Sequence, residues 1–169
     1  GKASLFSFKK NFRNILKKKI LILGYGGVGK SVAAYFSKEL GNYDKINIIT
    51  SQDIKSNNFN FFKKDSLLDL LPEIDILINC TSVGWSTKEN ESPIDISSMK
   101  LLRKKTLVFD VIYQPKKTKF LKYCEDLGLS YINGQEMNLY QAIFALLNVN
   151  TNLKMNLNEE LIKSSMVSV

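Results

Sequence analysis

The sequence predicts an α/β protein of the doubly wound kind, a single domain in which helices cover both faces of a parallel sheet. Three observations predict it. Short all-apolar runs alternate with stretches of helical periodicity, glycines punctuate many of the changes, and the first apolar run opens directly into a glycine-rich turn followed by a helix. With 169 residues, 44% of them hydrophobic, the chain suits one compact core and leaves little room for a second domain.

Each element follows from its local pattern. In residues 5–19, Leu5, Phe8, Phe12 and Leu16 recur at three- and four-residue spacing, and lysines close the segment, as suits the negative end of a helix. Ile20 to Leu23 is too short for a helix and is stopped by Gly24, so it reads as a strand buried on both faces. From Gly27 to Leu40 the helical spacing returns, and Gly41 ends it. A strand over 45–50 follows, then a loop rich in Ser, Asn and Lys, a short helix at about 65–71 and a strand over 74–79. Beyond a polar loop at 85–93 come a brief helix at 96–102, a strand over 106–111, and a helix over 117–127 stopped by Gly128. A strand at 129–132 and a helix over 135–149 complete the domain. Leu153, Leu157, Leu161 and Ile162 keep helical spacing in the Asn-, Lys- and Ser-rich end, which predicts one last helix and a loose tail. The divisions are thus a linking helix over 1–19, the main domain over 20–150, and a helix and tail over 151–169.

Composition narrows the function classes. Lys and Arg exceed Asp and Glu by 24 to 16, but the basic runs at 17–19, 103–105 and 116–117 are short, lie at element edges and lack interleaved aromatics. They read as solvated surface that mildly favours anions, and no nucleic-acid partner is expected. Histidine is absent, so no mechanism with an imidazole base runs on this chain. Cys80 and Cys124 lie in no metal or disulfide pattern and are expected to be buried free thiols. No apolar run approaches the roughly 20 residues that span a bilayer, and the given N-terminus shows no apolar segment followed by a small-residue cleavage site, so a soluble, cytoplasmic chain without a membrane partner is expected.

The turn Gly24-Tyr25-Gly26-Gly27-Val28-Gly29-Lys30-Ser31 fits two phosphate-binding patterns. As Gly-x-Gly-x-x-Gly it is a Rossmann-type dinucleotide turn: Gly24 makes the bend, Gly26 lets backbone approach a diphosphate, and Gly29 lets helix and strand pack closely. The helix start, with Gly27 and Val28, then offers free N–H groups and a positive dipole end. As Gly-x-x-x-x-Gly-Lys-Ser it is a P-loop, with Lys30 on terminal phosphates, Ser31 on magnesium and Asp110 as the second-strand acid. A glycine turn without any ligand is the third reading. Local context does not choose among them.

The end of the second strand ordinarily selects the cofactor, with an acidic side chain for NAD or an arginine for NADP. Here it reads Thr50-Ser51-Gln52-Asp53, with no arginine and a late acid. Thr50 and Ser51 can hydrogen-bond either cofactor, Lys55 can meet a phosphate as a point charge, and Gln52 and Asp53 serve equally well as plain loop residues.

Four segments in register, spanning about residues 5–150, resemble the shikimate dehydrogenase family. Besides the glycine turn, Asn79-Cys80-Thr81-Ser82-Val83-Gly84 resembles that family's Asn-Ala-Thr-Ser-Val-Gly-Met, with Trp85 where Met is usual. Asp110-Val111-Ile112-Tyr113-Gln114-Pro115-Lys116-Lys117-Thr118 resembles its Asp-x-x-Tyr-x-Pro-x-x-Thr. Gly134-Gln135-Glu136-Met137-Asn138-Leu139-Tyr140-Gln141-Ala142 resembles its Gly-x-Gly-Met-Leu-x-x-Gln-Ala. The resemblance makes Asp110 a strand-end residue and weakens the P-loop reading.

The resemblance implies NADP, or NAD, as cofactor and an oxidoreductase interconverting 3-dehydroshikimate and shikimate. It also implies that Thr81, Ser82 and Val83 line the cofactor cleft, Met137 lies near the nicotinamide, and Tyr113 and Gln141 bind the substrate's hydroxyls. Three departures accompany it. Thr50-Ser51-Gln52 replaces the family's Asn-Arg-Thr, and Glu136 replaces a glycine, where its carboxylate is expected to crowd the nicotinamide or repel an anionic substrate. The family's proton-transferring lysine and aspartate belong to an N-terminal substrate domain that is expected to be missing here, with Gly1–Ser4 as a junction or remnant. The chain alone is therefore expected to be inactive. A dehydrogenase-like module that only binds a nucleotide is the alternative of a different class.

Overall fold

The computed structural model describes residues 1–12, 15–41, 45–54 and 58–153. The expected last helix and tail beyond 153, and Lys55, lie outside these residues. Helix Lys2–Phe12 (α1) leads into strand Ile20–Leu23 (β1), helix Gly27–Leu40 (α2) and strand Ile46–Ile49 (β2). Strand Asn60–Phe62 (β3) and the short helix Leu67–Leu70 (α3), flanked by 3-10 turns, precede strand Ile76–Asn79 (β4). Helix Ile96–Met99 (α4), strand Leu107–Asp110 (β5), helix Lys119–Asp126 (α5), strand Ser130–Ile132 (β6) and helix Gln135–Leu153 (α6) follow.

The six strands form one sheet in the order β3-β2-β1-β4-β5-β6, and every pairing is parallel. The alternation of side chains along β1 explains its unbroken apolar run. Ile20 and Ile22 join Val32, Phe36, Phe109 and Ile143 on the face covered by α1, α2 and α6. Leu21 and Leu23 join Leu71, Met99, Phe120 and Leu121 on the other. A strand buried on both faces has no polar side to show, hence the continuous hydrophobic sequence.

Two features depart from the sequence reading. The segment expected to be a loop between the second strand and the short helix contains β3, paired in parallel with β2 through Asn47↔Asn60 and Ile49↔Phe62. The first helix, expected over 5–19, runs from Lys2 to Phe12. Leu16, expected on its apolar stripe, lies in a turn and is 55% exposed. No described helix is long and apolar enough to cross a membrane.

Candidate functional site

The strand order reverses direction at β1 and β4, and a crevice outside the carboxyl ends of such strands is where open parallel sheets bind ligands. The glycine turn stands there. Gly24 has φ +89°, a conformation that disfavours any side chain, and a Cβ on it would meet Thr81 Cγ2 at 3.0 Å and Cys80 O at 3.2 Å. The loops after β1 and β4 therefore touch. A Cβ on Gly29 would lie 2.2 Å from Gly24 O, so this glycine lets α2 pack against the turn.

Gly26 differs from both. Its φ is −76°, open to any residue, and a Cβ there would meet nothing within 4 Å. Neither strain nor packing calls for glycine at this position. What a side chain would take up is the space in front of the first turn of α2, where Lys30 N is the first amide bonded within the helix, to Gly26 O at 2.9 Å. The earlier amides of that turn are free in the manner of any helix start.

In front of the turn lies a cleft of about 800 Å³ whose lining brings together Gly24, Gly26, Thr50, Ser51, Thr81, Ser82 and Val83 of the sequence-predicted residues. Gly27 and Val28 form the exposed first turn of α2 beside it, and Gly29 is buried behind. Cys80, expected to be buried, is half-buried and lines the cleft; only Cys124 meets the expectation. Burial pushes both thiols up, that of Cys124 to about 12 with a further contribution from the Asp110 charge, so neither is a thiolate at neutral pH.

The loop bearing Thr81 is held by polar strand ends that sequence reasoning treated only as motif letters. Asn79 and Asp110 are buried partners in the β4–β5 register. Asn79 Nδ2 donates to Asp110 Oδ1 at 3.0 Å and to Val83 O at 3.3 Å. Its Oδ1 accepts from the Thr81 amide at 3.0 Å and hydroxyl at 2.7 Å. Thr118 caps α5 by accepting from Leu121 N, and donates its hydroxyl to Asp110 Oδ2 at 2.6 Å. Ile112 N donates to Asp110 Oδ1 at 3.2 Å. Burial raises the Asp110 carboxyl to about 6 against these three donors, which pull it the other way. The signal available beforehand was a polar residue ending each of two all-apolar strands.

The P-loop reading does not survive this geometry. Residues from Gly27 onward are already helical, so no wide loop remains to wrap a terminal phosphate, and Lys30 Nζ lies 5.7 Å from the Tyr25 ring. Asp110, its proposed magnesium ligand, is enclosed by Thr118, Asn79 and Ile112.

Glu136 also departs from expectation. Its carboxylate faces α1, accepting from Lys10 Nζ at 2.6 Å, Asn11 Nδ2 at 2.8 Å and Ser7 Oγ at 3.5 Å. Burial raises its pKa, but these donors and the Lys10 charge outweigh it and leave the group below its ordinary value. It ties α1 to α6 and is not part of the cleft lining.

Met137 is buried in the core beside Tyr140 and Ile143 and does not line the cleft. Tyr113 is exposed past the end of β5, and Gln141 is exposed on α6; neither side chain makes a hydrogen bond among the described residues. Both are carried by one buttressed junction, because a Cβ on Gly134 would lie 2.0 Å from Val111 O and Gly134 N donates to Ile112 O at 3.0 Å. Missed entirely was Lys63, which follows β3. Its ammonium donates to Ser51 O at 3.2 Å, to Gln52 O at 3.4 Å and to the Asp53 carboxylate. With β3 read as loop, nothing in the sequence placed it beside the end of β2.

No protein-family model matches the chain. The shikimate dehydrogenase (NADP(+)) of Pyrococcus abyssi is 37% identical over 136 residues, 78% of this chain and 48% of that protein. A chorismate mutase/shikimate 5-dehydrogenase fusion protein from Clostridium acetobutylicum superposes with TM-score 0.73 at 28% identity, over 95% of this chain and 56% of that one. The fold is shared too with the shikimate 5-dehydrogenase from Listeria monocytogenes solved in complex with shikimate and NAD, at TM-score 0.77 and 22% identity, over 98% of this chain and 61% of that one. The chain spans about half the length of the curated relatives it matches. By sequence and fold together it is similar to shikimate dehydrogenases over about half of their length, and its six-stranded parallel sheet matches their NAD(P)-binding domain.

Proposed function

We propose that this chain binds NADP, or NAD, in the cleft before Gly26, and that in a complete protein it serves the interconversion of 3-dehydroshikimate and shikimate. The observation that carries the reading is the glycine at 26. Position 24 needs glycine for its φ and position 29 for close packing, whereas position 26 needs it for neither. A ligand whose diphosphate lies against the backbone supplies the missing reason.

In this reading the free amides of Gly27 and Val28 and the dipole of α2 hold the diphosphate. Thr50 and Ser51 meet the adenosine ribose, as Lys55 would from outside the described residues. Thr81, Ser82 and Val83, fixed by Asn79, line the nicotinamide half, with Met137 behind it. Bound nicotinamide supplies the hydride. Tyr113 and Gln141, which make no hydrogen bond among the described residues, hold substrate hydroxyls at the carboxyl edge of the sheet. The matching proton on the carbonyl oxygen comes from groups outside these elements, so the chain alone binds nucleotide without turning over shikimate.

Calorimetric titration of the chain with NADP, NAD and ATP–magnesium tests this. Saturable binding of a dinucleotide but not of ATP–magnesium is expected. Gly26→Ala should weaken that binding at least about tenfold, from a lost charge-assisted contact, with the melting temperature unchanged because its Cβ enters open space. ATP–magnesium binding without a dinucleotide response contradicts the reading.

A further inference from the structure

We propose that Lys63, at the end of β3, is the cation that receives the 2′-phosphate of NADP, giving the chain a preference for NADP over NAD without an arginine at the end of β2. The proposal rests on the dinucleotide reading above. The ribose 2′ position is recognised where the second strand ends, and there the described residues offer Thr50, Ser51 and Gln52, with Asp53 further on.

The cation arrives from the neighbouring strand instead. Parallel pairing of Ile49 with Phe62, extended by Thr50 N donating to Phe62 O at 3.1 Å, sets residue 63 alongside residue 50, next to Ser51. Two of the ammonium's three N–H groups are spent on Ser51 O and Gln52 O, which fixes it over the turn. The third goes to Asp53, and Lys63, Ser51 and Gln52 all line the cleft that contains Gly26.

The Asp53 side chain is 93% exposed, and a pair so open to water is weakly held. Its carboxyl nonetheless sits below the ordinary range because Lys63 donates to it. A phosphate monoester carries about two negative charges at neutral pH and three acceptor oxygens. It therefore displaces the Asp53 carboxylate from the third N–H while the two carbonyls keep the ammonium in place. Lys64 adds positive charge to the same wall, and Asp65 offsets it. NAD, with a 2′-hydroxyl, gains nothing comparable from Lys63.

Titration of the 169-residue chain with NADP and with NAD, for the parent, Lys63→Met and Asp53→Asn, tests the assignment. Lys63→Met should weaken NADP about tenfold and leave NAD within about twofold. Asp53→Asn, which removes the competing charge, should tighten NADP about threefold with NAD unchanged. Both side chains are exposed, and an unchanged melting temperature verifies that each variant folds. A parent that prefers NAD, a Lys63→Met variant that weakens both nucleotides equally or neither, or loss of the preference on Lys55→Ala and not on Lys63→Met overturns the proposal. A parent that binds neither dinucleotide overturns the reading beneath it as well.

Discussion

Asp110 is buried, accepts three hydrogen bonds and is still raised to about 6, because the cost of burying its charge exceeds what Thr118, Asn79 and Ile112 return. An acid whose folded value lies above its unfolded one stabilises the fold at low pH, and that contribution is lost as pH rises from about 4 through about 6. The loss is on the order of 3 kcal/mol. In Asp110→Asn, Oδ1 still accepts from Asn79 and Ile112, and the new amide donates to a rotated Thr118 hydroxyl. Urea unfolding at pH 4.5 and pH 7 should show the parent losing about 2 kcal/mol of stability relative to this variant as pH rises, the rest of the loss falling below pH 4.5. Parallel curves would mean that the three donors already cancel the burial cost. Asn79 and Asp110 were visible in the sequence as polar ends of apolar strands, but that they face each other in register depends on strand order, which local sequence does not contain.

At the scale of elements, the strongly periodic segments were legible and the weakly patterned one was not. Helix α2 shows both a start and a stop, in the glycine turn and in Gly41, which adopts φ 64°. Strand β3 has three residues, and the alternation of Phe59 and Phe61, which pack against the core, is too short a run between Asn- and Lys-rich flanks to stand out as a period; its pairing with β2 makes it a strand. Missing β3 also hid Lys63. The lysines at 17–19 were read as the closing turn of a helix, but α1 runs over Lys2–Phe12 and is anchored at its middle, where Phe8 meets Phe36 at 5.5 Å and Phe109 at 6.2 Å between ring centroids. The difference between packing and surface charge is measurable on this helix. Phe8→Ala should cost about 3–5 kcal/mol, since Phe8 is wholly buried. Glu136→Gln, which removes the charge facing the largely exposed Lys10, should cost no more than about 1 kcal/mol. Chemical denaturation decides between them, and the reverse order would show that α1 is held by its ion pair and not by its ring contacts.

For the molecule as a whole, the doubly wound class followed from alternation alone, while the order β3-β2-β1-β4-β5-β6 fixes where function sits. It sets the glycine turn, the Thr81 loop and the end of β2 around one cleft, three segments far apart in sequence. Tyr113 follows past the end of β5, and Gln141 lies on α6 beyond the next strand. The identity with shikimate dehydrogenases covers about half of their length, and the part in the chemistry proposed for this chain is to hold the nucleotide. Backbone amide shifts during NADP titration, followed by two-dimensional NMR, test this most directly. Saturable shifts centred on Gly26, Gly27, Val28 and Thr81, with the remote turn at Gly128 unmoved, are the predicted result. Shifts that spare the glycine turn, or cluster at the basic surface around Lys117–Lys122, would contradict it.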